Sequence, residues 1–390
     1  MRIAVVTRYF PTSFHPWAGH SAYQTLKHLV QRHTIQVFYM ESRYPRLLTP
    51  PSRTHAALDP NYQPGDVPVS YIPYPALPAI SRPINGWTAY RKLLPHVRAW
   101  QPEILLNYVV YPDGYAALRL GEALHVPVVL TAIGTDLNVI PDPLCGILTR
   151  KALTRSDFLI TVSGALRQTG LRLGTSPTRS RAILNGCDTT IFHPQDRAAA
   201  RQALDLPADA ELIVYIGRID LAKGLLELVD AAAALKHRRS RLQCILVGDG
   251  ADEPAVLARI QHHNAAAWLR IVPPCRSDGV ARWMAAADLV TLPSYREGCP
   301  NVVLEALAAG RPMVASNVGG IPELMDEQCG SMVPARDAAA LETALDQTLA
   351  RLWDPASISQ RHSRSWQDVA LDVEQVLQDV LQRRQSVGRP

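Results

Sequence analysis

Two glutamates, Glu297 and Glu305, stand eight residues apart in the stretch PSYREGCPNVVLEALAAGRPMVAS. Glu305 falls inside Val302–Ala309, an otherwise apolar run that reads as a buried helix. An ionised carboxylate in such a place is costly unless a partner satisfies it. A ligand rich in hydroxyl donors, such as a sugar nucleotide, would do so. Glu297 sits in the loop just ahead, punctuated by Gly298 and Pro300. That loop's backbone and the helix's first N–H groups should face whatever the two carboxylates hold. Two cations complete the set: Arg218 and Lys223, five residues apart in YIGRIDLAKG, bring the charge that a diphosphate needs.

The elements that must position these residues are parallel strands and helices. Continuous apolar runs at Ile3–Thr7, Ile35–Met40, Ile104–Val109, Val128–Ala132, Phe158–Val162 and Ala182–Leu184 read as one series of strands. A second series follows at Leu212–Ile216, Cys244–Val247, Leu269–Val272, Leu289–Leu292 and Pro312–Ala315. Helical segments intervene, including Ser21–Gln31, Gly224–Lys236 and Asp278–Ala287. Alternation of this kind implies parallel sheets covered on both faces, here two doubly wound domains in tandem. Open parallel sheets bind ligands beyond the carboxyl ends of their strands. Arg218 directly follows one strand and Lys223 directly precedes a helix, so both should project at that edge. The hinge is expected at Phe192–Asp196, and the chain reads as helical from Trp353 onward. Residues 42–85, rich in Pro and Tyr, carry no clear period and are expected to shape a pocket.

A chain of 390 residues with 47% hydrophobic content suits two substantial cores and excludes wholesale disorder. The six cysteines are scattered, without a C-x-x-C pair, which fits reduced thiols better than a disulfide framework or a zinc site. The opening MRIAVVTRYFP is interrupted by Arg8, unlike a signal peptide, and no apolar stretch is long enough to span a bilayer. A soluble, cytoplasmic protein is expected. Residues 1–195 hold 19 Lys and Arg against 10 Asp and Glu, and the remainder 21 against 25. The basic first half suits anionic lipid headgroups or acidic glycans, each surface cation contributing about 1 kcal/mol near such a membrane; a solubilising charge distribution accounts for it equally well. No basic cluster or reader motif points to nucleic acid.

Five motifs in order carry a resemblance to a known family. E-G-x-P-N-x-x-x-E runs from Glu297 to Glu305, and G-R-x-x-x-x-K-G from Gly217 to Gly224. NGCDTTIFHP (Asn185–Pro194), VGDG (ending Gly248–Gly250) and GGIPELM (Gly319–Met325) accompany them. Together they resemble glycosyltransferase family 4, the group 1 glycosyl transferases, across nearly the whole chain. The resemblance implies retaining chemistry and the α/β GT-B fold: two Rossmann-like domains facing across a cleft, with the C-terminal helix crossing back to the first domain. Residues 1–193 would bind the acceptor, joined by a returning helix at 367–386, and residues 194–366 the nucleotide sugar. Arg218 and Lys223 would neutralise the leaving diphosphate, so that neither metal nor cofactor is needed, while Glu297 would hold the transferred sugar; these three form the catalytic set. Glu305 would bind the ribose. Gly217, Gly248, Gly298, Cys299, Pro300, Asn301, Val302 and Val303 would complete the donor site. The implied acceptor side comprises Gly19, His20, Asp113, Gly134 and Asp136. The acceptor would be a glycan or lipid-linked glycan of bacterial surface polysaccharide assembly, placing the protein at the inner face of the membrane.

Bland readings stand beside several of these. Asp113, in YPDGYAA, reads somewhat better as a helix N-cap than as a ligand, and His20 as an exposed loop histidine. Cys299 is a loop filler rather than a nucleophile. Lys223 is expected to serve the ligand and not the fold, so its loss should leave stability nearly unchanged. The chain departs from the family at TAIGTDLN, where Ile133 replaces a histidine that contacts the sugar in many members. Isoleucine offers no hydrogen bond or proton. Front-face attack, in which the leaving phosphate takes the acceptor's proton, needs no protein base and makes that position dispensable. The alternative is a catalytically weak or inactive nucleotide-sugar-binding partner of another transferase. A nucleotide-sugar epimerase of related architecture fits the four charged residues less well.

Overall fold

A computed structural model of the chain describes residues 1–45, 59–78, 80–140 and 142–387. Two compact units emerge, one from Met1–Leu184 with Trp366–Pro390, the other from Asn185–Ser365. The first break thus falls at Leu184/Asn185, ahead of the expected hinge.

The first unit is built on seven parallel strands: β1 (Arg2–Thr7), β2 (Thr34–Arg43), β3 (Val69–Pro75), β4 (Ile104–Tyr108), β5 (Val128–Ala132), β6 (Phe158–Thr161) and β7 (Ser180–Ala182). Their order is β3-β2-β1-β4-β5-β6-β7, with β1 paired to both β2 and β4. The strand order therefore reverses at β1/β4. β4 and β5 are buried along their entire length, as apolar strands covered on both faces must be.

The helix Trp366–Val387 belongs to this first unit. Trp366, Val369, Val373, Val376, Leu377 and Val380 recur at three- and four-residue spacing and join the core of Ile3, Val5, Leu26, Val37 and Leu106. Each such side chain contributes about 1.5–3 kcal/mol on burial. Polar contacts set the helix's register: Glu374 lies 3.0 Å from His33 Nε2 and 3.2 Å from Arg32 Nε, and Arg181 pairs with Asp372 at 2.7 Å.

The second unit carries six parallel strands: β8 (Glu211–Ile216), β9 (Leu242–Val247), β10 (Leu269–Val272), β11 (Leu289–Leu292), β12 (Met313–Ser316) and β13 (Gly330–Val333). The order β10-β9-β8-β11-β12-β13 reverses at β8/β11.

Beyond shifts of a few residues at strand ends, three strands differ from expectation, all at sheet edges. β7 lies at Ser180–Ala182 and not at 182–184. β3 crosses the supposedly aperiodic 42–85 stretch, where Pro73 and Pro75 hide the strand signal; both are tolerated because β3 is an edge strand. The rest of the pocket expected there includes residues 46–58, outside the described residues. β13 is only four residues, GSMV, too short for a pattern to show.

Candidate active site

In the second unit the reversal at β8/β11 places two loops side by side. The one after β8 runs through Gly217 and Arg218 into a short turn, Leu221–Lys223, capped by the Asp220 carboxylate on the Ala222 N–H at 2.9 Å. The one after β11 carries Pro293–Glu297. Backbone touches backbone here. Gly224 has φ +69°, and a Cβ on it would fall 2.0 Å from the Pro293 carbonyl oxygen. Tyr295 N–H donates to the Ala222 carbonyl at 2.8 Å, and the Tyr295 hydroxyl donates to Glu227 at 2.6 Å. This contact delivers Lys223 Nζ to within 2.6 Å of Glu297 Oε1. The pair is largely sheltered, with 21% and 11% of the two side chains exposed. Arg218 is the opposite: 75% exposed, held only loosely by Asp220 at 3.6 Å. An exposed guanidinium and a paired ammonium on the same loop suit an anion arriving from solvent.

The Glu297 loop is clamped from below. Gly319, at φ +57°, lies so close that a Cβ would sit 1.9 Å from the Glu297 carbonyl oxygen, and Gly320 N–H donates to the Gly298 carbonyl at 2.9 Å. Here the GGIPELM motif acquires a physical reason. Gly248 is similarly required, since its Cβ would meet the Gly217 carbonyl oxygen at 1.9 Å. Asn185 holds the far end of the loop, donating from Nδ2 to the Cys299 carbonyl at 3.1 Å and to Asn301 Oδ1 at 2.8 Å. Cys299 is buried, and burial pushes its thiol up to about 12, which removes it as a nucleophile at neutral pH.

Pro300 precedes the helix Asn301–Ala308, whose N-terminus has no side-chain cap. Val303 is fully buried, while Asn301 and Val302 are half-buried. Four residues into that helix, Glu305 is half-buried and makes no hydrogen bond or ion pair with any described residue. Desolvation pushes its carboxyl up to about 7. A carboxylate so placed has fewer donors than it would find in water and leaves room for ligand hydroxyls to supply them.

In the first unit the reversal at β1/β4 gathers a different set. Asp113 is wholly buried; its Oδ2 accepts from the Arg8 N–H at 2.5 Å and from Thr7 Oγ1 at 3.3 Å, and Arg8 Nε lies 3.4 Å from Oδ1. The N-cap reading is corrected: the helix Tyr115–Leu124 begins from Gly114 without a side-chain cap, and Asp113 instead ties the ends of β1 and β4 together. Burial raises its carboxyl to about 6 even against the lowering effect of Arg8. Asp136 joins the neighbouring loops. Its Oδ1 accepts from the Ile133 and Gly134 N–H groups at 3.1 and 2.9 Å, and its Oδ2 from Val110 N–H at 2.9 Å. Ile133 is partly buried against the unit's core. Gly19 starts the helix His20–Leu29 at φ +64°, with room for no side chain against the Tyr9 carbonyl, and His20 packs edge-on to Trp366 at 5.9 Å.

Some contributors carried no sequence signal. Val109, a β-branched residue at φ +79°, holds a strained backbone at the tip of β4, yet its sequence reads simply as more strand. Arg8 was visible as the charge ending the first apolar run, but its partner 105 residues away was not.

Comparisons with known proteins bear on the family and the fold. The family model of glycosyltransferase family 4 matches residues 18–191, and that of glycosyl transferases group 1 matches residues 210–351. Among relatives, TuaC of Bacillus subtilis, named as a teichuronic acid biosynthesis glycosyltransferase, is 30% identical over 259 residues, 65% of this chain and 63% of that one. A D-inositol 3-phosphate glycosyltransferase of a Nocardioides species is 37% identical over 177 residues, covering 41% and 39%. The matches thus span less than two thirds of these relatives' own lengths. Among solved structures, sucrose-phosphate synthase of Thermosynechococcus elongatus superposes with a TM-score of 0.78 at 21% identity, over 98% of this chain and 100% of that one. Anabaena HepE in complex with UDP gives 0.74 at 16% identity, over 97% and 100%. Identities this low speak to fold alone, and the fold is GT-B. With one family model on each half of the chain and the motif residues gathered where its strand order reverses, the chain belongs to glycosyltransferase family 4 of the group 1 glycosyl transferases.

Proposed function

We propose that the protein is a retaining glycosyltransferase that moves a sugar from a nucleotide-diphosphate donor to a hydroxyl of a glycan or lipid-linked acceptor. The observation that carries this reading is the sheltered Lys223–Glu297 pair, 2.6 Å apart at the β8/β11 reversal, with the unpaired Glu305 on the helix that follows. Lys223 and the exposed Arg218 offset the charge that grows on the departing diphosphate, an electrostatic role that strengthens toward the transition state. Glu297 orients the transferred sugar through its hydroxyls, and Glu305 takes the ribose hydroxyls. The leaving phosphate accepts the acceptor's proton as the new bond forms on the same face, so the configuration is kept. No metal or cofactor enters this scheme. Anabaena HepE is described in complex with UDP and with UDP-glucose, which makes uracil the first base to test.

An acceptor carried on an anionic membrane fits the first unit's exposed apolar side chains, among them Trp17, Ile80 and Trp87, the last with the Arg91 guanidinium over its ring at 5.3 Å. No helix of the described residues is long and apolar enough to cross a membrane. Such contact would be peripheral, at the inner face.

Thermal unfolding with UDP, GDP, ADP and their sugar conjugates, with and without Mg²⁺, tests the donor assignment, because a ligand of the native state raises apparent stability by RT ln(1 + [L]/Kd). A metal-independent shift with one base supports it; none with any base overturns it. Turnover with donor and acceptor, abolished by Glu297→Ala, separates an enzyme from the second reading, a nucleotide-sugar-binding partner without activity. Ile133 favours that second reading, since an apolar side chain packed on the core replaces a polar one.

A further inference from the structure

Outside the candidate active site, the second unit brings three donors of different chemistry together below the Gly319–Gly320 clamp. Asp326 and Cys329 flank the turn that leads into β13, and His362 ends the helix Pro355–His362. One ligand atom from each, a carboxylate oxygen, the thiol sulfur and an imidazole nitrogen, lies within 4.8 Å of the others. His362 Nε2 stands 3.7 Å from Asp326 Oδ1. Around a tetrahedral ion with bonds of about 2.0–2.3 Å, such atoms would sit about 3.3–3.6 Å apart. The three need to close by at most about 1.5 Å.

The surroundings suit an ion better than an ordinary polar cluster. His362 Nε2 is buried and has no hydrogen-bond partner among the described residues, so this ring nitrogen is available to a ligand. Cys329 is fully buried, and its sulfur receives the Asp326 N–H at 3.3 Å, a contact that favours the thiolate. The thiol now donates to the Asp326 carbonyl at 3.3 Å, a bond that binding would exchange for the metal. Asp326, with 47% of its side chain exposed, leaves an entry path. Because the thiolate is the ligating form, binding must expel the Cys329 proton to solvent. Arg361, 3.9 Å from the other Asp326 oxygen and 48% exposed, is free to swing away.

We propose that Asp326, Cys329 and His362 form a binding site for a borderline-soft divalent cation, with Zn²⁺ the ion whose donor preferences and tetrahedral spacing they match, and water filling the fourth position. The ion staples the segment that descends from Gly319–Gly320 to the end of the helix Pro355–His362. Through that segment it steadies the backbone beneath Glu297, without taking part in sugar transfer. The cysteine pattern alone pointed away from zinc, because the ligands are one Asp-x-x-Cys turn and a histidine more than thirty residues on.

The test is titration of the chelator-treated full chain with Zn²⁺ by calorimetry and with Co²⁺ by absorbance. One equivalent of Zn²⁺ should bind and raise the unfolding temperature, and Co²⁺ should give a thiolate charge-transfer band. Cys329→Ser and His362→Gln should abolish the band. The partly exposed Asp326→Asn, which leaves the core untouched, should weaken Zn²⁺ by more than the about 10–100-fold that loss of an outer-shell partner costs. Cys275 is the exposed thiol among the six cysteines; Cys275→Ser should change nothing. Absence of stoichiometric binding overturns the proposal, as does a band that survives Cys329→Ser or vanishes with Cys275→Ser.

Discussion

Glu305→Gln should make the ligand-free protein more stable at pH 8 while depriving it of its nucleotide. Burial raises the Glu305 carboxyl from an ordinary 4.5 to about 7. A group whose folded-state value is raised gives its full stability below the unfolded value, and that stability is lost as pH rises through the folded value. Between pH 4.5 and about 7, wild-type stability should therefore fall, then level off. The gap at 1.36 kcal/mol per pH unit is about 3 kcal/mol. Glu305 is half-buried, and residual water screens part of that, leaving about 1–3 kcal/mol. Glutamine has the shape of the protonated acid and never ionises. Urea unfolding of both proteins at pH 5 and pH 8 isolates the effect, since the amide's own desolvation cost cancels between the two conditions. The variant's advantage should grow by about 1–3 kcal/mol from pH 5 to pH 8. Nucleotide affinity, measured by calorimetry at pH 8, should drop at least about tenfold, because hydrogen bonds to a charged group are worth about 1.5–3 kcal/mol. If the advantage does not change with pH, Glu305 is not a desolvated carboxylate. If it grows while nucleotide binding is intact, Glu305 is buried for some purpose other than the ribose.

Three other substitutions probe the scaffold of the site. Lys223→Ala should weaken binding of a nucleoside diphosphate and also lower stability by about 1–3 kcal/mol, because Glu297 is left sheltered without its partner; a thermal melt that does not move would show the pair to be incidental. Gly319→Ala should cost at least about 1–3 kcal/mol for the positive φ alone and push the Glu297 carbonyl aside by about an ångström, a displacement that can lower turnover about 100-fold; kinetics equal to wild type would refute the clamp. Asp136→Ala orphans the N–H groups of Val110, Ile133 and Gly134 and should destabilise the first unit by about 2–4 kcal/mol, read as faster hydrogen exchange at those amides.

Much of this was legible in the chain. Continuous apolar strands such as Leu289–Leu292 announced themselves because both faces are covered. The donor-side charges could be placed at one edge because Arg218 directly follows a strand. What composition could not convey was pairing across distance. Asp113 read as a cap because a carboxylate before a helix usually is one; only the strand order brings Arg8 beside it. Lys223 looked devoted to a ligand because its salt bridge to Glu297 spans 74 residues. β3 was missed since prolines suppress the pattern of an edge strand without preventing it. The glycines of GGIPELM were seen as a motif, but their reason, a carbonyl oxygen where a side chain would be, is purely spatial.

The helix Trp366–Val387 has a consequence for the ribosome. The first unit needs it, yet the whole of the second unit lies between it and Leu184. At about 5–20 residues per second, translation of that interval lasts roughly 10–40 s. Throughout it the nascent β1–β7 sheet has emerged with the apolar face that Val369, Val373, Leu377 and Val380 will later cover still bare. The second unit, contiguous in sequence, can finish folding while the first waits as a chaperone's client. A nonsense codon just after Ser365 would spare Lys223, Glu297 and Glu305 and still yield a chain that aggregates through its other half.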